Sequence, residues 1–385
     1  MGDERARPVL QIIGDGMQGR WLTWRWSGPE HPVGVRQLPD PHSVLERFRA
    51  ALPADGATLA ELNLDGPLTC PEAELELMRS LATVLLPEEL LEQLRTCDER
   101  IQVRVMPSPP LAQVPWGLLP IDGDRRLIEV ADISWMGPIL PRDIGAEPEP
   151  SRHGDGPDVI VVDPFVAGQG FVHSTRPRAE DWAHHPEAQL LGRFTPGILE
   201  EHEVLERMDD ASGLLLIGHV SQEPGHPGET SFNTAQDRLG AKDVIFSDTR
   251  VPPRVAIVAC ASGVDLQASE PLGLATGLLL KGAEVVLGTL WVLPTEHALG
   301  LQAAAAAPAF CELERAFDVA RHHDDPVAGL CGYQRERLRA WREQGGLRNS
   351  PILWGAAMAL TAPRQRHLGV VGKSQETTDL GAAEL

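Results

Sequence analysis

Four short, uninterrupted runs of Val, Ile and Leu constrain this chain more than anything else in it: DVIVVD (158–163), GLLLIGH (213–219), RVAIVAC (254–260) and AEVVLGTLW (283–291). Runs of this length without polar alternation are what strands covered on both faces require. The stretches between them are helical or irregular and long enough for crossovers. Strand, crossover and strand in repetition specify an open α/β sandwich with a mostly parallel central sheet and right-handed connections. Between the last two runs, PLGLATGLLLK (271–281) has helical character and stops at Gly282, a good residue for a helix C-terminus. GYQRERLRAWREQ (332–344) continues as helix, and ILWGAAMAL (352–360) reads as a further strand.

The rhythm ahead of these runs is that of an α+β front part. PVLQII (8–13) and RWLTWRW (20–26) read as two strands joined by a glycine turn, with Leu22, Trp24 and Trp26 on one face and Trp21, Thr23 and Arg25 on the other. Helical periodicity covers Ser43 to Leu52 and Glu72 to Leu94, IQVRVM (101–106) alternates as a strand, and a D-G turn precedes another strand ending near Trp135. Ile144 to Asp158, IGAEPEPSRHGDGPD, is rich in proline and glycine and continues neither a helix nor a central strand. The expected division is therefore a front part over 1–143, a linker or long loop over 144–158, a back part over 159–361 and a disordered tail over 362–385.

Charge narrows the function classes. Among 385 residues, 34 Lys and Arg face 55 Asp and Glu, a formal charge of −21 that repels phosphate backbones, so no nucleic acid is expected as a partner. No long apolar window and no apolar leader point to a membrane, and a cytoplasmic location is expected. The cysteines Cys70, Cys97, Cys260, Cys311 and Cys331 form an odd, widely spaced set without a C-x-x-C pair, which fits neither a disulfide framework nor a zinc knuckle. Each is by default a small buried hydrophobe. Gly14 to Gly19 spells G-x-G-x-x-G, but a strand former follows it where a dinucleotide-binding loop must open a helix, so it reads as a hairpin turn. His184-His185 and His322-His323-Asp324-Asp325 have no third ligand at useful spacing. They read as solvated loop, and neither a metal nor a cofactor is expected.

In open α/β sheets the functional groups gather at the carboxyl ends of the parallel strands. Asp163, His219, Cys260 and, after a short gap, Glu296 occupy such ends. A cysteine and a histidine terminating neighbouring strands stand about 5 Å apart, one strand spacing, with side chains toward the same rim. The histidine can take the thiol proton, making thiolate available near neutrality, and later protonate a leaving amine. Gly218 and Gly263 flank the pair and would let a peptide backbone approach.

These residues resemble the CHAT domain, a caspase-like peptidase domain related more distantly to separase, clostripain and caspases. The resemblance is carried by SGLLLIGHV, VPPRVAIVACASG, EPLGLATGLLLKGAEVVLGTLWVLP and SPILWGAAMAL, and reaches forward through IQVRVMPSPPLAQVPWGLLPIDGDRRLIE. It implies a caspase-hemoglobinase-like sandwich, with His219 as general base and acid, Cys260 as nucleophile, and backbone N–H groups at Gly218 and Cys260 for the oxyanion. The chain departs from the family's pattern at three places. Val220 follows the histidine where a small residue is usual, Val258 stands where clostripain-type relatives carry Asp, and Thr295 stands near the family's Asp, a role left to Glu296.

The function the resemblance implies is a cysteine endopeptidase that cleaves a protein substrate under an activating or regulatory protein, in a bacterial defence or death-like pathway. The alternative is a catalytically silent CHAT-like module that docks partners. In caspase-like folds a charged residue after the first strand of this region lines the pocket for the residue before the cut. Asp163, or its rivals Asp265 and Glu296, would there favour Arg or Lys. Loops 164–189 and 221–242, rich in Gly, Pro, His and charge, follow strands ending at this site and read as mobile gates.

Overall fold

The structure is a computed structural model that describes residues 9–15, 20–27, 33–53, 66–137, 156–164, 185, 187–194, 198–223, 226–259, 262–263, 266, 273–294 and 309–362. In chain order its strands are β1 (Val9–Asp15), β2 (Trp21–Trp26), β3 (Val33–Gln37), β4 (Ile101–Met106), β5 (Pro120–Asp122), β6 (Arg125–Arg126), β7 (Ala131–Met136) and β8 (Val159–Val162). There follow β9 (Gln189–Gly192), β10 (Leu214–Gly218), β11 (Val220–Glu223), β12 (His226–Asn233), β13 (Arg238–Gly240), β14 (Arg254–Ala259), β15 (Val285–Thr289) and β16 (Ala357–Thr361).

Among the described residues, eleven strands form one mostly parallel sheet in the order β3-β2-β1-β4-β7-β16-β15-β14-β10-β8-β9. Its junctions are parallel except β3–β2, β2–β1 and β16–β15. The four apolar runs became β8, β10, β14 and β15, each buried from end to end but for Arg254. A central parallel strand is covered by crossovers on both faces, so no position in it can be polar without cost. The helix Leu274–Lys281 packs on β15, Ala309–His322 on β14, and Pro326–Gln344 on β7 and β16. Leu274–Lys281 ends at Gly282 with φ +131°, as its sequence requires.

In the front part β1 and β2 pair antiparallel from Leu10–Trp26 to Asp15–Trp21, so the G-x-G-x-x-G stretch joins two strands and opens no helix. Leu22 and Trp24 are buried, Trp21 is exposed, and the Trp24 and Trp26 indoles both donate to Gln93 Oε1, at 3.1 and 2.8 Å. The helical stretch from Glu72 to Leu94 divides near Pro87 into Pro71–Leu85 and Glu88–Arg95. Inside the first of these, buried Glu74 receives a bidentate contact from buried Arg126, at 3.1 and 2.8 Å. Among the described residues no helix is long and apolar enough to cross a membrane.

Two expectations need correction. ILW of ILWGAAMAL is a helical turn, Pro351–Trp354, opened by the Ser350 side chain accepting from Ile352 N–H; the strand begins only at Ala357. Residues 221–242 are no irregular loop: β11, β12 and β13 pair into a three-stranded sheet that leads into the helix Ala241–Phe246. Its polar composition hid the anchor, Phe232, which is fully buried against Gly218. Of loop 164–189, residues 165–184 and 186 lie outside the described residues, as do 138–155, which take in the proline-rich stretch up to Asp155, and the tail from 363.

Candidate active site

β10 and β14 are adjacent and in parallel register, Leu214 opposite Val255 through Gly218 opposite Ala259. His219 follows Gly218 by one residue, and Cys260 follows Ala259 by one. His219 is partly buried, and its carbonyl accepts a hydrogen bond from the Asn233 N–H at 2.8 Å. Cys260, Asp265 and Glu296 lie outside the described residues.

The end of β14 is held by a buried polar network that sequence reasoning missed. Thr289, the last residue of β15, donates through Oγ1 to the Ala259 carbonyl at 2.6 Å and accepts from the Ser262 N–H at 3.3 Å. Ser262 Oγ in turn accepts from the Thr289 N–H at 2.9 Å and lies 3.3 Å from the Ile257 carbonyl. The Gly263 N–H donates to the Thr289 carbonyl at 2.9 Å. The residues on either side of Cys260 are thus tied to the neighbouring strand. The available signal was the hydroxyl pair itself, in ACASG and VLGTL, both within otherwise apolar surroundings.

The glycines flanking the site are closely packed. A Cβ on Gly218 would stand 2.9 Å from the Phe232 ring, and one on Gly263 would stand 2.7 Å from Met358 Sδ. The freed space is occupied by neighbouring side chains of the protein, so these glycines serve packing against the hairpin and β16.

Asp163 ends β8 beside β10 in the left-handed region, φ +43°, a conformation that Asp tolerates better than most residues. Its N–H donates to the Ile217 carbonyl at 2.7 Å. The carboxylate is buried and paired with Arg193 Nε at 3.2 Å, from the residue directly after β9. A basic ligand reaching Asp163 would have to share it with that guanidinium.

The remaining described cysteines form no disulfide with one another and sit in distinct settings. Cys331 is buried, accepts from the Ile133 N–H at 3.2 Å, and burial pushes its thiol up to about 12. Burial, with the Asp98 charge, also raises Cys97. Cys70 is exposed and donates to Glu72 at 3.3 Å. The histidine pairs depart from expectation: His185 and His322 do not lie in separate solvated loops. The fold brings them together with Asp158 and Asp318, because the helix Ala309–His322 ends where β8 and β9 begin.

A parallel α/β sheet with a histidine at the carboxyl end of one central strand, and a cysteine one residue beyond the end of the next, defines a caspase-like fold. Residues 75–305 match the CHAT domain family, and the chain belongs to it. No curated protein matches the chain. Among solved structures, a Saccharomyces cerevisiae separase–securin complex at 3.0 Å resolution is 12% identical over 92% of this chain, with a TM-score of 0.50. A second structure of that complex, at 2.6 Å resolution, is 13% identical over 84% of this chain and 23% of that chain, with a TM-score of 0.39. This chain covers 30% of the first separase chain, and at such identity the likeness is one of fold.

Proposed function

We propose that this chain is a cysteine endopeptidase in which Cys260 and His219 form the catalytic dyad. The observation that carries the reading is the register of β10 and β14: Gly218 and Ala259 are partners, and His219 and Cys260 are the next residue along each chain. His219 takes the thiol proton, and the Cys260 sulfur attacks the scissile carbonyl carbon and forms the C–S bond. Backbone N–H groups near Gly218 and Cys260 hold the oxyanion. The C–N bond breaks as His219 returns the proton to the departing amine, and water then hydrolyses the thioester.

Cleavage of a partner protein after Arg or Lys, in the cytoplasm, under an activating protein and within a bacterial defence or death-like pathway, is the finer form of the same reading and rests on family context. Of the three carboxylates offered for the specificity pocket, Asp163 already has Arg193 as a counter-ion. Asp265 and Glu296 are therefore the first to test.

The test uses wild type, Cys260→Ala and His219→Ala with a fluorogenic panel carrying Arg, Lys, Asp or Leu before the cut, and with the proteins encoded beside its gene. A cleavage product made by wild type alone is the expected result. Equal cleavage by wild type and Cys260→Ala refutes the dyad, and no cleavage of peptide or neighbour protein favours the docking-module reading. Preference for Asp over Arg overturns the basic pocket.

A further inference from the structure

At the amino-terminal ends of β8 and β9, the sheet edge opposite His219, four metal-ligating side chains converge that the proposed dyad does not use. Asp158 directly precedes β8, His185 lies just ahead of β9, and Asp318 and His322 end the helix Ala309–His322. One donor atom from each lies within 4.8 Å of all the others. His185 Nε2 stands 2.6 Å from Asp318 Oδ2, His322 Nε2 stands 3.5 Å from Asp158 Oδ2, and the two imidazole rings face each other at 4.7 Å.

The group around these atoms is organised for a cation. His322 Nδ1 is 2.8 Å from the Asp318 carbonyl, which can only accept, so Nδ1 carries a proton and Nε2, turned toward Asp158, is the nitrogen left to bind a metal ion once its own proton is displaced. This is the second-shell arrangement that fixes the tautomer of metal-bound histidines. Buried Arg321 holds both carboxylates: Nη1 to Asp158 Oδ1 at 2.5 Å, and Nε and Nη2 to Asp318 Oδ1 at 3.0 and 2.6 Å; Nη2 also touches Asp158 Oδ2, the oxygen that faces His322.

We propose that Asp158, His185, Asp318 and His322 form a structural metal site for Zn²⁺ or a chemically similar transition-metal ion. Two imidazoles with two carboxylate oxygens make a four-ligand N2O2 set, whereas Ca²⁺ and Mg²⁺ call for oxygen shells. Bonds of about 2.0–2.2 Å in tetrahedral geometry put ligand atoms about 3.3–3.6 Å apart. The donor separations of this cluster, from 2.6 Å to at most 4.8 Å, bracket that edge. The partly exposed His322 ring gives the ion a way in. An occupied site pins the entries of β8 and β9 to the end of the helix that covers β14.

The experiment uses the full chain carrying Cys260→Ala, so that no dyad thiol competes for metal. After chelator treatment, Zn²⁺ alone is titrated by calorimetry and thermal melting is followed. One equivalent bound per chain is expected, with melting raised by roughly 5 °C at a hundredfold excess over Kd. His185→Ala with His322→Ala should lose the bound equivalent and the melting shift, while His323→Ala, on an exposed neighbour, should keep both. If the double variant is misfolded by circular dichroism, His322→Gln alone supplies the comparison. Absence of saturable binding overturns the site and leaves an ion cluster held by Arg321 and protons. Binding that survives loss of the histidines overturns it equally.

Discussion

Replacing Thr289 by Val keeps the shape of the side chain and deletes the hydroxyl that joins β15 to the end of β14. Three hydrogen-bond contacts go, to the Ala259 carbonyl at 2.6 Å, from the Ser262 N–H at 3.3 Å and with Ser262 Oγ at 3.4 Å, at a residue with no exposed surface. Each lost bond costs about 1 kcal/mol net, and up to about 3 kcal/mol where the abandoned group finds no other partner. The expected loss is about 2–4 kcal/mol, which lowers a urea midpoint by roughly 1 M at a slope of about 3 kcal/mol/M. Stability alone would not separate a positioning residue from an ordinary core residue. The second readout is therefore the pH profile of Cys260 alkylation by iodoacetamide, in a Cys70→Ser background because Cys70 is exposed. Thr289→Val should alkylate more slowly near pH 7 and with its midpoint moved upward, since the strand end is no longer held in register with His219. Thr289→Ser, which retains the hydroxyl, should restore the profile. A Thr289→Val protein within about 0.5 kcal/mol of wild type, with an unchanged alkylation profile, would refute the claim that this network holds the site.

Two further outcomes follow from the geometry. Gly218→Ala forces a methyl to within 2.9 Å of the Phe232 ring and should destabilise by about 1–3 kcal/mol, with Phe232→Leu in the same chain recovering part of it in chemical denaturation; a neutral Gly218→Ala would show that the hairpin is not packed on that glycine. Cys331, raised by burial to about 12, stays a thiol throughout the working range, so mass spectrometry should find it unmodified by iodoacetamide at pH 8 until the protein unfolds. Labelling in the native state would contradict its burial.

The parts of this fold legible in the sequence are those where one requirement dominates. A strand buried on both faces must be apolar throughout, and β8, β10, β14 and β15 announce themselves. The expected caspase-like sheet followed from these runs and from the family motifs. What stayed hidden depends on partners far away in sequence. The strand HPGETSFN (226–233) looks like a loop, and pairs because its neighbours and the Phe232–Gly218 contact hold it. Asp318 and Arg321 occupy positions where charge normally marks a solvated helix face, yet both are buried and satisfy each other and Asp158. The two histidines of that cluster look unrelated until the helix end meets the sheet edge. Within the proposed dyad, the chain order gave both residues, and the strand register supplies the reason to pair them.

Strand β16 lies between β7 and β15, so the early strands and the later ones share a sheet only through residues 357–361. It joins β15 over five positions and β7 at Leu360 and Thr361. On the ribosome these residues emerge after every other described strand of the sheet. Until then two hydrogen-bonding edges stand open in the middle of the molecule, each a template for wrong pairing. The last of the described strands to be synthesised is also the keystone that closes both, and a nascent chain cut short before it would be left with two unfinished half-sheets.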